Sequence, residues 1–115
     1  MARVVSIHEY ELKPGARDED FERAARDAER RGLFALPGLI GHHFLKGMKG
    51  PRRGRYAAIW IFESRGAWEK LWGPVEASRP PAEYPAQWKE WENEVLAPFL
   101  TQDPDTIRFT SYSEL

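Results

Sequence analysis

Residues Gly54–Trp72, GRYAAIWIFESRGAWEKLW, change hydrophobic period in mid-stretch. From Tyr56 to Glu63 the side chains alternate, Ala57, Ile59 and Ile61 on one side and Tyr56, Trp60 and Phe62 on the other, which is the period-two signature of a strand. Ser64 then supplies a hydroxyl suited to cap orphan backbone N–H groups, and Ala67, Trp68, Leu71 and Trp72 fall on one helical stripe. Gly73-Pro74 ends that helix. The aliphatic side of the strand is expected to lie under helices. Tyr56, Trp60 and Phe62 are expected to face a cavity as one of its walls.

Working outward, Arg3 to Leu12 repeats the alternation, with Val5 and Ile7 set against Ser6, His8 and Tyr10. Lys13-Pro14-Gly15 closes this first strand. A helix follows, with Asp18 as its expected N-cap and Phe21, Ala24, Ala25 and Ala28 at helical spacing up to Gly32. Leu36-Pro37-Gly38 is a turn, Leu39 to Met48 a second strand, and the basic MKGPRRGR a hairpin loop. Downstream, 74–83 is a proline-rich connector. Tyr84, Trp88, Trp91 and Val95 mark a third helix running through Leu96, and Thr106 to Tyr112 a last strand.

The totals narrow the function classes. A chain of 115 residues with 42% hydrophobic and 30% charged residues fits one globular domain over 1–115, too small to enclose a large pocket alone. A formal net charge of −1 argues against a surface devoted to nucleic acid or membrane. The absence of cysteine removes disulfides, thiolate catalysis and thiolate metal sites. No apolar run is long enough to span a bilayer and no signal peptide is evident, so a cytoplasmic location is expected.

The order β-α-β-β-α-α-β is that of a ferredoxin-like α+β sheet with an added helix. Helices cover one face of such an antiparallel sheet and leave the other for a partner. The partner face is expected to carry Ser6, His8, Tyr10, Tyr56, Trp60, Phe62, Arg108, Thr110 and Tyr112. Such a mixture of aromatic and polar groups marks an interface or a ligand site.

Pro37-Gly38-Leu39-Ile40-Gly41, opening the second strand, and Tyr56 to Trp68, YAAIWIFESRGAW, resemble the dimeric α+β barrel superfamily, in its antibiotic-biosynthesis-monooxygenase-like branch. The resemblance implies a homodimer whose sheets pack face to face, each with a cavity beside its own helices. In cofactor-free monooxygenases of this branch a strand tryptophan lines the cavity. Phe62 holds the closest motif position here, with Trp60 one alternation earlier. The resemblance implies no cofactor. Haem-degrading relatives place an axial histidine on a helix, and no expected helix here contains one.

The residues themselves offer candidates for chemistry. His8 can act as a general base near neutral pH, or stand as a hydrogen-bonded interface histidine. Arg108 can hold an oxyanion through its planar fork of donors, or pair with a partner-chain carboxylate. Tyr10 can donate to the same oxygen. Tyr56, Trp60, Phe62 and Tyr112 would contact a small, flat aromatic ligand. His42 and His43 point to opposite faces of their strand, and only the pairing register decides which joins the cavity. Glu9 and Glu63 have the wrong parity to complete a metal set with His8, so no metal is expected. The loop with Lys46, Lys49, Arg52, Arg53 and Arg55 lacks the pattern of a phosphate loop and reads as a solvated hairpin tip.

These features lead to a small-molecule protein, a cofactor-independent monooxygenase or related acid/base enzyme acting on a flat phenolic or polyketide-like compound. An RNA-recognition module shares the core order, and Arg53-Gly54-Arg55-Tyr56 precedes an aromatic strand. Val5-Ser6-Ile7, however, stands where a stacking aromatic is wanted, so no nucleic-acid partner is expected. A non-catalytic binding protein is the third reading.

Overall fold

The computed structural model describes residues 2–115. Its elements are β1 (Val4–Tyr10), α1 (Asp18–Arg30), β2 (Leu39–Lys46), β3 (Tyr56–Phe62), α2 (Arg65–Trp72), α3 (Ala86–Glu90) and β4 (Arg108–Ser113). The four strands form one antiparallel sheet of order β2-β3-β1-β4, the ferredoxin-like arrangement expected from the sequence.

Register then fixes the two faces. Ser6, His8 and Tyr10 pair with Trp60, Ala58 and Tyr56, His42 pairs with Trp60, and Phe109 pairs with His8. Directly opposed residues share a face, so all of these point the same way. That face lies under the helices. Trp60 meets Trp88 of α3 at 4.9 Å between ring centroids, Tyr56 meets Phe21 of α1 at 4.7 Å, and Phe62 meets Trp72 of α2 at 6.3 Å.

The expected facing is therefore inverted. Ser6, His8, Tyr10, Tyr56, Trp60 and Phe62 lie beneath the helices, while Val5, Ile7, Ile59 and Ile61 face away from them. The physical reason is area: each large aromatic buries about 150–250 Å², so the aromatic side gives the helices much more to cover than alanine and isoleucine would. A second part of the expected face separates altogether. Arg108, paired with Glu9, and Tyr112, paired with Val5, stand on the aliphatic side and not beside His8. Parity within a strand was readable from the sequence, but parity between strands depends on register.

Local chemistry explains most element ends. The Ser64 hydroxyl accepts from the backbone N–H of Ala67 at 3.1 Å and starts α2 as expected. The first helix has Arg17 at its N-cap with no side-chain hydrogen bond, and Asp18 is its first residue, not its cap. There Asp18, Glu19 and Asp20 act through charge, facing the positive helix end. The third helix begins after Pro85, because proline lacks the N–H an earlier helical turn would need. It continues into a π-helical turn over Trp91–Leu96. Asp103 caps a short turn at Pro104–Thr106, which delays β4 to Arg108. Among the described residues no helix is long and apolar enough to cross a membrane.

Candidate active site under the helices

The helices cover β2, β3 and β1 but stop short of β4. Phe109, on the helix side by register, is still 56% exposed. His8 sits at this boundary on β1, half-buried. Its imidazole lies 5.9 Å from the Trp60 ring, 6.0 Å from Trp88 and 5.7 Å from Phe109. Among the described residues no side chain hydrogen-bonds to it. Removed from water by three rings and offered no counter-charge, His8 has its pKa pushed from 6.5 down to about 4. At neutral pH it is an uncharged imidazole, the form that accepts a proton.

Next to it on the same face, the hydroxyls of Ser6 and Ser111 share a hydrogen bond of 2.7 Å. This pair and His8 form a polar strip along the seam between β1 and β4. Trp60 and Trp88 form the wall opposite Phe109. His8 thus stands among aromatic surfaces at the β4 edge of the helix layer.

Deeper under the helices the packing is aromatic and continuous. Phe34 touches Trp60 at 4.9 Å, Trp91 at 5.0 Å and His42 at 5.0 Å. His42 stacks on Trp60 at 5.7 Å and lies 3.6 Å from Glu29 of α1. Of the two adjacent histidines, His42 is the one on the His8 side. His43 is exposed on the opposite face.

Tyr10 and the π-helical turn meet in this interior. The hydroxyl of Tyr10 and the indole N–H groups of Trp60 and Trp91 are buried and without hydrogen-bond partners. Burial raises the Tyr10 pKa far above its ordinary value, with the charge of Glu92 adding to the rise and the two indoles opposing it. Glu92 itself is buried beside Trp91. Its carboxyl is pushed up to about 7, chiefly by burial and then by the negative charge of Asp105, while the Trp88 indole opposes the shift.

The other expected site residues have different surroundings. Tyr56 donates its hydroxyl to Glu22 of α1, so that donor is engaged within the fold. Phe62 is buried against α2. Arg108 and Tyr112 are exposed on the aliphatic face, with Tyr112 at 54%. A groove of about 620 Å³ runs past Arg108, Glu9, Glu11 and Arg52, but its charges largely answer one another. Arg52 binds Glu11 at 2.7 Å and the carbonyl of Tyr56 at 2.7 Å, and lies 3.3 Å from Glu9. Arg55 also pairs with Glu11, and Lys46 with Asp18 at 2.9 Å, so much of the basic hairpin is consumed in local ion pairs. Among the described residues no three His, Asp or Glu side chains group as a metal centre would require.

Sequence reading missed Glu92, Ser111 and Phe34. Glu92 did leave a signal, since it stands four residues after Trp88 on the apolar stripe, where a carboxylate is out of place. Ser111 left none, because only the β1–β4 register reveals that it faces Ser6.

No protein-family model matches the chain, and no curated protein sequence matches it significantly. Solved structures do match its fold. One is a protein provisionally described as an antibiotic biosynthesis monooxygenase from Bordetella bronchiseptica, with TM-score 0.67 and 14% identity over 100% of this chain and 99% of that one. Another is SnoaB, a cofactor-independent oxygenase from Streptomyces nogalater, with TM-score 0.60 and 12% identity over 100% and 95%. A third is a dimeric ferredoxin-like protein of unknown function from Thermobifida fusca, with TM-score 0.64 and 10% identity over 97% and 91%. The fold is thus the one shared by antibiotic-biosynthesis-monooxygenase-like and other dimeric ferredoxin-like α+β barrel proteins.

Proposed function

We propose that this protein is a homodimeric enzyme that binds a flat phenolic or polyketide-like compound in the cleft under its helices and oxidises it with O2, using no cofactor. The observation that carries the reading is His8: an unpartnered, uncharged imidazole held among Trp60, Trp88 and Phe109. A half-exposed neutral imidazole among aromatic rings can take a proton from a ligand that reaches it.

In this reading His8 takes a proton from an activated carbon or phenol of the substrate. The anion gives an electron to O2, and recombination followed by loss of water turns a CH2 group into a carbonyl. One oxygen atom enters the product and the other leaves as water, with the electrons supplied by the two C–H bonds. The protein's part is to desolvate the anion, keep its ring flat between aromatic walls, and shelter it from competing protonation. The cofactor-independent oxygenase from Streptomyces nogalater, on the same fold, supports this choice of chemistry. Arg108 has no role at this cleft, since it lies across the sheet.

Dimerisation belongs to the same proposal. The sheet face away from the helices presents Val5, Ile7, Ile59 and Ile61 half-buried, with Leu45 43% exposed beside them. A second sheet packed there would bury an aliphatic layer, and the Thermobifida fusca protein of this fold is described as dimeric. The same aliphatic composition disfavours base stacking on this face.

Oxygen uptake with a panel of polycyclic phenols tests the reading. Wild-type protein is expected to consume O2 with at least one of them, and His8→Ala to lose about 100-fold or more of the rate. Binding without uptake would make the protein a binding module. Uptake unchanged in His8→Ala would refute the assignment of the base.

A further inference from the structure

Apart from the His8 site, we infer that the groove of about 620 Å³ at the start of β4 is a second ligand site, for a small amphipathic acid: its carboxylate meets the Arg108 guanidinium and its apolar body lies on Leu100, Ile107 and Phe109. Three parts of the chain line the groove. Glu9 and Glu11 come from the end of β1, Arg52 from the hairpin between β2 and β3, and the rest from the approach to β4. Glu9 and Arg108 pair across β1 and β4 on the face away from the helices. The charged side of the groove therefore lies across the sheet from His8.

Charge decides the sign of the ligand. Arg52 donates to Glu11 at 2.7 Å and to the carbonyl of Tyr56 at 2.7 Å, and lies 3.3 Å from Glu9, while Arg55 takes the second oxygen of Glu11. The neutral donors are used within the chain as well. The Gln102 amide donates to the Thr106 carbonyl at 2.7 Å, and the Thr106 hydroxyl donates to the Asp103 carbonyl at 2.8 Å. Arg108 is different. Among the described residues its guanidinium has no hydrogen-bond or ion-pair partner, although Glu9 stands directly opposite on β1. The carboxylates of Glu9 and Glu11 thus face the guanidiniums of Arg52, Arg55 and Arg108, and the positive charge left over is on the group whose donors are free. Those donors form a planar fork matched to a carboxylate.

Shape decides the rest of the ligand. An exposed arginine alone holds an anion weakly, since water and salt compete for it. Here the lining beside it adds apolar contact. Leu100 and Ile107 are buried and form a fixed floor, and Phe109, 56% exposed, presents an open ring. Arg52 braces the groove by tying the hairpin to the end of β1 through Tyr10 and Glu11. The volume falls in the range of small-molecule pockets, roughly 300–1,000 Å³. An acid with a ring or short alkyl body uses both halves of this groove. Inorganic phosphate would use only the guanidinium, and a cation would meet carboxylates already engaged.

Calorimetric titration of the wild-type protein with 2-naphthoate, 2-naphthalenemethanol and inorganic phosphate tests the site. The naphthoate is expected to bind about tenfold or more tightly than either of the others. Arg108→Gln, which leaves the apolar floor intact, is expected to weaken the naphthoate about tenfold and to leave the alcohol unchanged. Phosphate binding as tight as the naphthoate would make Arg108 an ordinary surface cation and overturn the inference, as would an absence of naphthoate binding at millimolar concentration. If Arg108→Gln binds the naphthoate normally while His8→Phe does not, the acid sits beside His8, and the inference fails while the His8 site stands. If Arg108→Gln turns a dimer into a monomer in light scattering, the guanidinium serves the second chain and the inference fails.

Discussion

Glu92 is the residue at which the tension in this fold can be measured most simply. Its folded pKa of about 7 stands above the ordinary value of 4.5, so the native state holds a proton on it that the unfolded chain has released. Stability from this group is complete below about pH 4.5 and is lost as pH rises through 7. Glu92→Gln is expected to stabilise the protein relative to wild type at pH 8, by an amount on the order of 2 kcal/mol seen as a higher melting temperature, and to bring little gain at pH 4.5. A thermal scan at the two pH values checks it; an equal gain at both would mean the carboxyl is ionised throughout. His8 has the opposite sign. Its pKa is depressed to about 4, so its contribution is present above 6.5 and is lost as pH falls toward 4. His8→Phe is expected to flatten the loss of stability between pH 6.5 and 4, whereas a parallel acid limb in the variant would show that His8 is solvated. That His8, Tyr10 and Trp60 share one face of the sheet was expected from type and parity, and the register bears it out. Glu92 left a signal, a carboxylate on a stripe that the tryptophans dominate.

At the scale of elements, the join between the β2 entry turn and α2 is the tightest point. Gly38 has φ of 82°, and a Cβ built on it would stand 2.6 Å from the Cβ of Ala67. Its carbonyl also accepts from the backbone of Glu63 at 2.8 Å, so the turn ties the start of β2 to the end of β3. Gly38→Ala is expected to cost about 2 kcal/mol or more, through strain at positive φ and displacement of α2. Ser64→Ala removes only the cap of the same helix and is expected to cost about 1 kcal/mol. Urea titrations of the two variants rank these effects, and a larger loss in Ser64→Ala would contradict the packing described here. The strand–cap–helix stretch was legible because its chemistry is local. The π-helical turn was not. A period of 3.6 placed Trp88, Trp91 and Val95 on one stripe, but nothing in that pattern announces the wider turn that buries Trp91 and Glu92 side by side.

For the whole molecule, topology was legible and facing was not. The order of elements follows from periods and breakers, each readable within a short window. The choice of which sheet face takes the helices depends on comparing buried areas across strands whose register the sequence does not print. The structure puts aromatics and His8 inside and the isoleucines outside, which leaves the aliphatic face as the one the proposed dimer would use. Ile59→Asp is expected to shift the protein from dimer to monomer in light scattering behind size exclusion, with the near-ultraviolet signature of the tryptophans retained. A dimer that survives this change would place the contact elsewhere. The central claim concerns the other face: that the functional cleft lies under the helices, with His8 at its mouth. A crystal structure with a bound polycyclic phenol tests it most directly. The account predicts the ring beside His8, on the side lined by Trp88 and Phe109, with an acidic position within hydrogen-bond reach of His8. A ring lying instead on the isoleucine face beside Arg108 and Tyr112 would contradict it.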